Sequence, residues 1–272
     1  MLGKLIKHEF RATSRIMLPV FLAMLVLSVL ANFSISTLAK DNNPTAVDLI
    51  CGLITIAFGV CIVALILISI ILMVQRFHRN LLTDEGYLMF TLPTSIHNLV
   101  CSKMIVSVVW FLLTGVVILL AALISCMSLS FSTSLIDGMH KLMQELQMIT
   151  GIEAVHITGY IAEGLILVFV NCAILCVQFY AAMAVGYSFA NRKTLMSVVF
   201  FFIFQFGSQF LLTSLLMIAP TQNFYFMAHM AFLSAPAQVH VMMILLIIGC
   251  LIYFAIFYAI TVLALKKRLN LE

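Results

Sequence analysis

Hydrophobic residues along this chain fall into six long runs separated by polar intervals: Met17–Leu38, Leu49–Val74, Met104–Leu129, Ile161–Phe189, Leu195–Ala219 and Val239–Leu265. Each exceeds the roughly 20 residues that an α-helix needs to cross a hydrocarbon layer. Barrel strands are excluded, because they are about 10 residues long and alternate apolar with polar positions. The pattern predicts an all-α, polytopic membrane protein with six transmembrane helices in a single transmembrane domain. Pro19 falls in the first turn of the first run, where its missing N–H costs little.

The intervals carry predictions of their own. Residues 1–16 read as an amphipathic helix: Leu2, Leu5, Ile6 and Phe10 lie near one face, with Lys4, Lys7, Arg11 and Arg15 mostly away from it. Such a helix lies in the membrane interface with its bases near anionic headgroups; the plainer alternative is a positive flank to the first span. Between the second and third runs, FHRNLLTDEGYLMFTLPTSIHNLVCSK holds a short piece, residues 84–92, too brief to cross a bilayer. Thr83 or Asp84 can cap a short helix that Pro93 must end, and Thr94 or Ser95 can cap the next. Tyr87, Leu88, Met89, Phe90 and Leu92 would face water there unless covered. Apolar clusters rimmed by charge mark interaction sites, the alternative being that they lie on the lipid surface. Residues 130–160 and 220–238 read as external segments with helical pieces.

Composition agrees with the membrane assignment. The 272 residues are 64% hydrophobic and only 9% charged, whereas a soluble domain is about 25% charged. The net charge of +4 reports topology, not nucleic acid, because the basic residues sit at the ends of apolar runs. With a cytoplasmic N-terminus the inner side holds Lys4, Lys7, Arg11, Arg15, Arg76, Arg79, Lys103, Arg192, Lys193, Lys266, Lys267 and Arg268. The outer side holds Lys40 and Lys141, which together account for all 14 Lys and Arg. The positive-inside rule then places both termini in the cytoplasm. The seven cysteines lie in or beside apolar runs without a CxxC, so core packing is expected over redox chemistry or metal binding.

Self-contained catalysis finds no support. There is no GxxxxGK[ST] loop, His8-Glu9 lacks the second histidine of a zinc motif, and no GxSxG occurs. His140, His156, His229 and His240 are scattered outside, and no metal site is expected. Glu163 is the one charged residue within a run, near its outer end, which argues against proton- or sodium-driven transport. Neutral polar residues do cluster: Gln205, Gln209 and Thr213 recur every four residues, and Asn171 and Gln178 share a face of the fourth run. They form either a polar wall along a substrate path or second subunit, or hydrogen bonds between helices of one bundle.

Taken together, MLGKLIKHEFRATSRI, six spans and DEGYLMFTLPTSIHNLVCSK resemble the membrane (permease) subunits of type-2 ATP-binding-cassette (ABC) exporters. The likeness covers the whole chain in layout. In that family the first segment is a cytoplasmic elbow helix. The second follows a pattern of acidic residue, Gly, apolar stretch, Leu-Pro, Thr/Ser and then Lys entering span three. Many members carry Thr after that Gly, where this chain has Tyr87, and the interval between spans three and four is longer here.

The resemblance implies two permease subunits, identical or paired with a sister, forming the pathway in a bacterial inner membrane. ATP and Mg would bind separate ATP-binding subunits docked beneath, leaving no cofactor in this chain and no enzyme activity of its own. Asp84, Glu85, Gly86, Tyr87, Leu88, Met89, Phe90 and Leu92 would form the coupling helix that contacts those subunits, and Lys4, Lys7, Phe10 and Arg11 the bracing elbow. A different class of function, a membrane-embedded sensor or assembly subunit that binds a partner and moves nothing, fits the same exposed arm. The cargo class is left open by the motif.

Overall fold

The computed structural model describes residues 2–38, 46–83, 95–127, 137, 138, 140, 141, 144, 154–189, 192–218 and 234–267. Among the described residues six long helices follow one another: α1 (Leu2–Leu38), α2 (Ala46–Leu81), α3 (Ile96–Ser125), α4 (Ala154–Gly186), α5 (Lys193–Ile218) and α6 (Ala235–Lys267). All six are long and apolar enough to cross a membrane. The chain is an all-helical, multi-pass membrane protein.

Helix ends depart from the ends of the apolar runs, because hydropathy marks where hydrocarbon begins and not where backbone hydrogen bonding stops. Thus α2 continues through Arg76, His78 and Arg79 to Leu81, where basic groups complement the carbonyl end of the helix. Helix α3 begins eight residues before Met104, while α4 ends at Gly186, short of Phe189. Pro19 is not in a first turn. It lies inside α1, which runs unbroken from Leu2, so the amphipathic residues 2–16 and the apolar residues after them share one axis. Spanning helices tolerate such a proline when neighbouring side chains and local adjustments satisfy the freed carbonyl. Of the two segments expected outside, residues 137, 138, 140, 141 and 144 are helical, 154–160 begin α4 and 235–238 begin α6; residues 220–233 lie outside the described residues.

The chain divides into two compact units, residues 1–73 with 105–146, and residues 74–104 with 147–272. In the first, α1 buries Thr13, Met17, Phe21, Met24, Ser28, Ala31 and Ser34. Their spacing of three and four residues draws one stripe down the helix. That stripe packs with Phe58 and Leu65 of α2 and with Val106, Trp110 and Ala121 of α3. Outside the stripe, Leu18, Leu22 and Phe33 are exposed, as expected of a surface solvated by lipid tails. Hydroxyls bind the helices further: Ser69 and Thr114 share a buried hydrogen bond of 2.9 Å, and the Asn32 amide donates to the Ile124 carbonyl.

The second unit is built on α4. Its middle is buried through Cys176, Val177, Tyr180, Ala181, Ala182 and Ala184, mostly small residues that let neighbouring backbones approach closely. Helix α5 returns antiparallel beside it, with Phe179 stacked on Phe201 at 4.3 Å. The hairpin is tight: a Cβ at Gly186 would collide with the Ser197 hydroxyl and backbone. Arg192, at a left-handed φ of 54°, redirects the chain into α5. Helix α6 runs parallel to α4, and Phe257 joins Val177 and Ala181 in the core.

Candidate functional site

Residues 84–94, which include the expected coupling helix from Asp84 to Leu92, lie outside the described residues. Both of their flanks are described, and both belong to the second unit. On the incoming side the last turns of α2 are deeply packed, with Phe77 and Leu81 wholly buried. Phe77 stacks face to face on Tyr180 of α4, ring centroids 4.0 Å apart and planes 10° from parallel. One residue on, His78 is hydrogen-bonded to the Tyr187 hydroxyl, its ring edge-on to the tyrosine at 5.2 Å.

On the outgoing side Ser95 caps α3. Its hydroxyl accepts from the Asn98 N–H at 3.3 Å, leaving Ser95 itself outside the helix as a cap residue should be. His97 Nδ1 lies 3.0 Å from the Tyr258 hydroxyl of α6. Cys101, one turn further, contacts the same hydroxyl at 3.3 Å. Leu99, Val100, Ser102 and Lys103 are buried; Lys103, expected as a flanking charge, is enclosed at 4% exposure. The chain therefore enters residues 84–94 from an anchor on α4 and leaves them onto an anchor on α6. Sequence reading did not find these anchors, because aromatic and histidine residues at helix ends carry no sign of their tertiary partners.

At the other expected positions the geometry differs residue by residue. Lys4, Lys7 and Arg11 are exposed on α1, while Phe10 stacks on Trp110 of α3 at 4.8 Å. The Trp110 indole N–H donates to the Thr13 hydroxyl at 2.7 Å, fixing the N-terminal turns of α1 to α3. Gln178 is buried and donates to Gln205 across the α4–α5 contact at 2.7 Å. Gln209 and Thr213 are exposed on α5, with the Thr213 hydroxyl donating to the Gln209 carbonyl. Asn171 is also exposed and donates to the Leu167 carbonyl. Two of the five polar positions thus pair with each other, and of the five only Gln178 is buried.

A further polar group comes together where sequence reading saw only scattered histidines. His240 of α6 sits between Glu163 and His156 of α4, its Nδ1 at 2.8 Å from Glu163 Oε1 and its Nε2 at 3.2 Å from His156 Nδ1. The available signal was the spacing of His156, Tyr160 and Glu163, four and three residues apart on one helical face. Among the described residues no group of three or more potential metal ligands converges, and all seven cysteines are unpaired. No family model, no curated protein sequence and no solved structure matches this chain.

Proposed function

We propose that this chain is the permease subunit of an ABC exporter, forming the substrate pathway and taking its energy from a separate ATP-binding subunit. The observation that carries this reading is the double anchoring of the 84–94 interval, to α4 through Phe77–Tyr180 and to α6 through His97–Tyr258. A force applied to that interval from below reaches two long helices through rigid side chains: a stacked aromatic pair at one end and a hydrogen-bonded ring at the other. A coupling helix needs such a connection, since closure of an ATP-binding pair does work on the pathway only if the contacted segment cannot slip.

In this proposal both termini and residues 84–94 are cytoplasmic. Asp84, Glu85, Gly86, Tyr87, Leu88, Met89, Phe90 and Leu92 meet the ATP-binding subunit. The amphipathic start of α1, bearing exposed Lys4, Lys7 and Arg11 and held to α3 by Phe10, braces the same side as the elbow. A second permease copy or sister covers the outer face of α5. Supporting this, Phe206 and Phe210 are 68% and 73% exposed beside exposed Gln209, and an amide facing hydrocarbon without a partner is costly.

The proposal is tested by labelling. In a cysteine-free background, Tyr87→Cys should react with a membrane-impermeant maleimide in inside-out vesicles and not in intact cells. Bound ATP-binding subunit should protect it. Labelling from the outer face would reverse the topology and remove the coupling assignment with it.

A further inference from the structure

The Glu163–His240–His156 chain lies at the opposite end of α4 from the 84–94 anchors and plays no part in the coupling described above. Its construction is specific. Tyr160 stacks on the His240 ring with centroids 4.4 Å apart, and the Tyr160 hydroxyl donates to the Pro236 carbonyl at 3.0 Å. Gly159 makes room for the imidazole, since a Cβ there would stand 2.8 Å from His240 Cε1. The second carboxylate oxygen of Glu163 is buried with no hydrogen-bond partner among the described residues. A ring held on both nitrogens, on one face and at its rim is oriented for a purpose beyond filling space.

The proton count follows from the chemistry of imidazole. His240 Nδ1 faces a carboxylate oxygen, so it carries a proton and donates. With neutral rings, His240 Nε2 is then the acceptor and His156 Nδ1 the donor. Adding one proton makes His240 an imidazolium whose Nε2–H donates to His156 Nδ1, the His156 proton moving to its own Nε2. The same 3.2 Å contact serves both arrangements. A second added proton leaves two N–H groups facing each other, and the bond between the helices is lost. Among the described residues of α4, α5 and α6, no ionisable group other than Tyr160 lies beside these three. Helix α5 carries only Lys193, at the far end of its hairpin with α4, and the next titratable residue along α6 is Cys250. On α4 the neighbours are Tyr160, already described, and Cys172, more than two turns on.

We propose that Glu163, His240 and His156 form a one-proton binding site that clamps the N-terminal turns of α4 to those of α6 and releases them on further protonation. The site is independent of the transport role, and a chain with no ATP-binding partner has it too.

Two measurements on the full-length protein in lipid nanodiscs test it between pH 8 and pH 5, the range in which histidine changes charge. In 15N-histidine spectra, a through-hydrogen-bond coupling between His156 Nδ1 and His240 Nε2 is expected at pH 8 and absent at pH 5. Spin labels at the exposed positions Leu165 and Met242 should give a narrow distance distribution at pH 8 that lengthens or broadens at pH 5. His156→Gln and His240→Gln should each remove that pH dependence; if one variant fails to fold, the other and the wild-type coupling decide. A wild-type distance that ignores pH, a coupling that is never seen, or a pH response kept by either variant overturns the proposal.

Discussion

Replacing Leu88 and Phe90 together with Asp is expected to abolish stimulation of ATP hydrolysis by this chain and to separate it from the proposed ATP-binding subunit. In the proposed complex these two side chains sit at the centre of a small apolar contact, where a few anchors carry most of the binding energy, at 2 kcal/mol or more apiece. Two buried, unpaired carboxylates replace that gain with a penalty of similar size. A combined loss of about 4 kcal/mol already weakens binding roughly a thousandfold. Folding should survive, because the anchors at Phe77–Tyr180 and His97–Tyr258 are untouched. A double variant that still stimulates hydrolysis as wild type does would show that the partner docks elsewhere.

Trp110→Ala should cause the largest loss of stability among single changes in the first unit, about 3 kcal/mol, read as equilibrium unfolding by steric trapping in bicelles. The indole is 5% exposed and touches α1 in three ways. It stacks on Phe10 at 4.8 Å, meets Phe21 at 5.8 Å and donates to the Thr13 hydroxyl at 2.7 Å. Each aromatic pair contributes roughly 0.5–1.5 kcal/mol and an interhelical hydrogen bond in lipid about 0.6 kcal/mol on average; the cavity adds the rest. Trp110→Phe keeps an aromatic ring beside Phe10 but loses the N–H and part of the buried ring, so it should cost less, about 1–2 kcal/mol. Equal effects from the two substitutions would mean that the hydrogen bond, and not the ring, holds the N-terminal turns of α1. The same experiment bears on the proposed elbow, because Phe10 stacks on this ring.

The six helices were legible because each carries more than a bilayer's width of apolar residues, a signal that needs no partner to interpret. Their ends were less so. Arg76, His78 and Arg79 read as a polar interval, yet they continue α2, since a helix leaving hydrocarbon keeps its backbone hydrogen bonds. Pro19 looked like a helix start because a span was assumed to begin with its apolar residues; α1 begins 17 residues earlier.

Polar positions show the same divide. The repeat of Gln205, Gln209 and Thr213 was visible as a periodicity, but nothing in it said that Gln205, exposed like Gln209, pairs with the buried Gln178 of α4. Pairing depends on which neighbour lies opposite. His240 lies 77 residues from Glu163 along the chain, a pairing no local pattern reveals. A cap at Thr94 or Ser95 was legible, because capping is local; the structure uses Ser95.

The most direct test of the proposed coupling is co-purification of the wild-type chain with the proposed ATP-binding subunit, followed by assay of ATP hydrolysis. A permease gives a stable complex holding two copies of each subunit, with hydrolysis that responds to assembly. A folded, dimeric chain that purifies alone, leaving hydrolysis unchanged when the two are mixed, would contradict coupling and leave a sensor or assembly subunit as the better description.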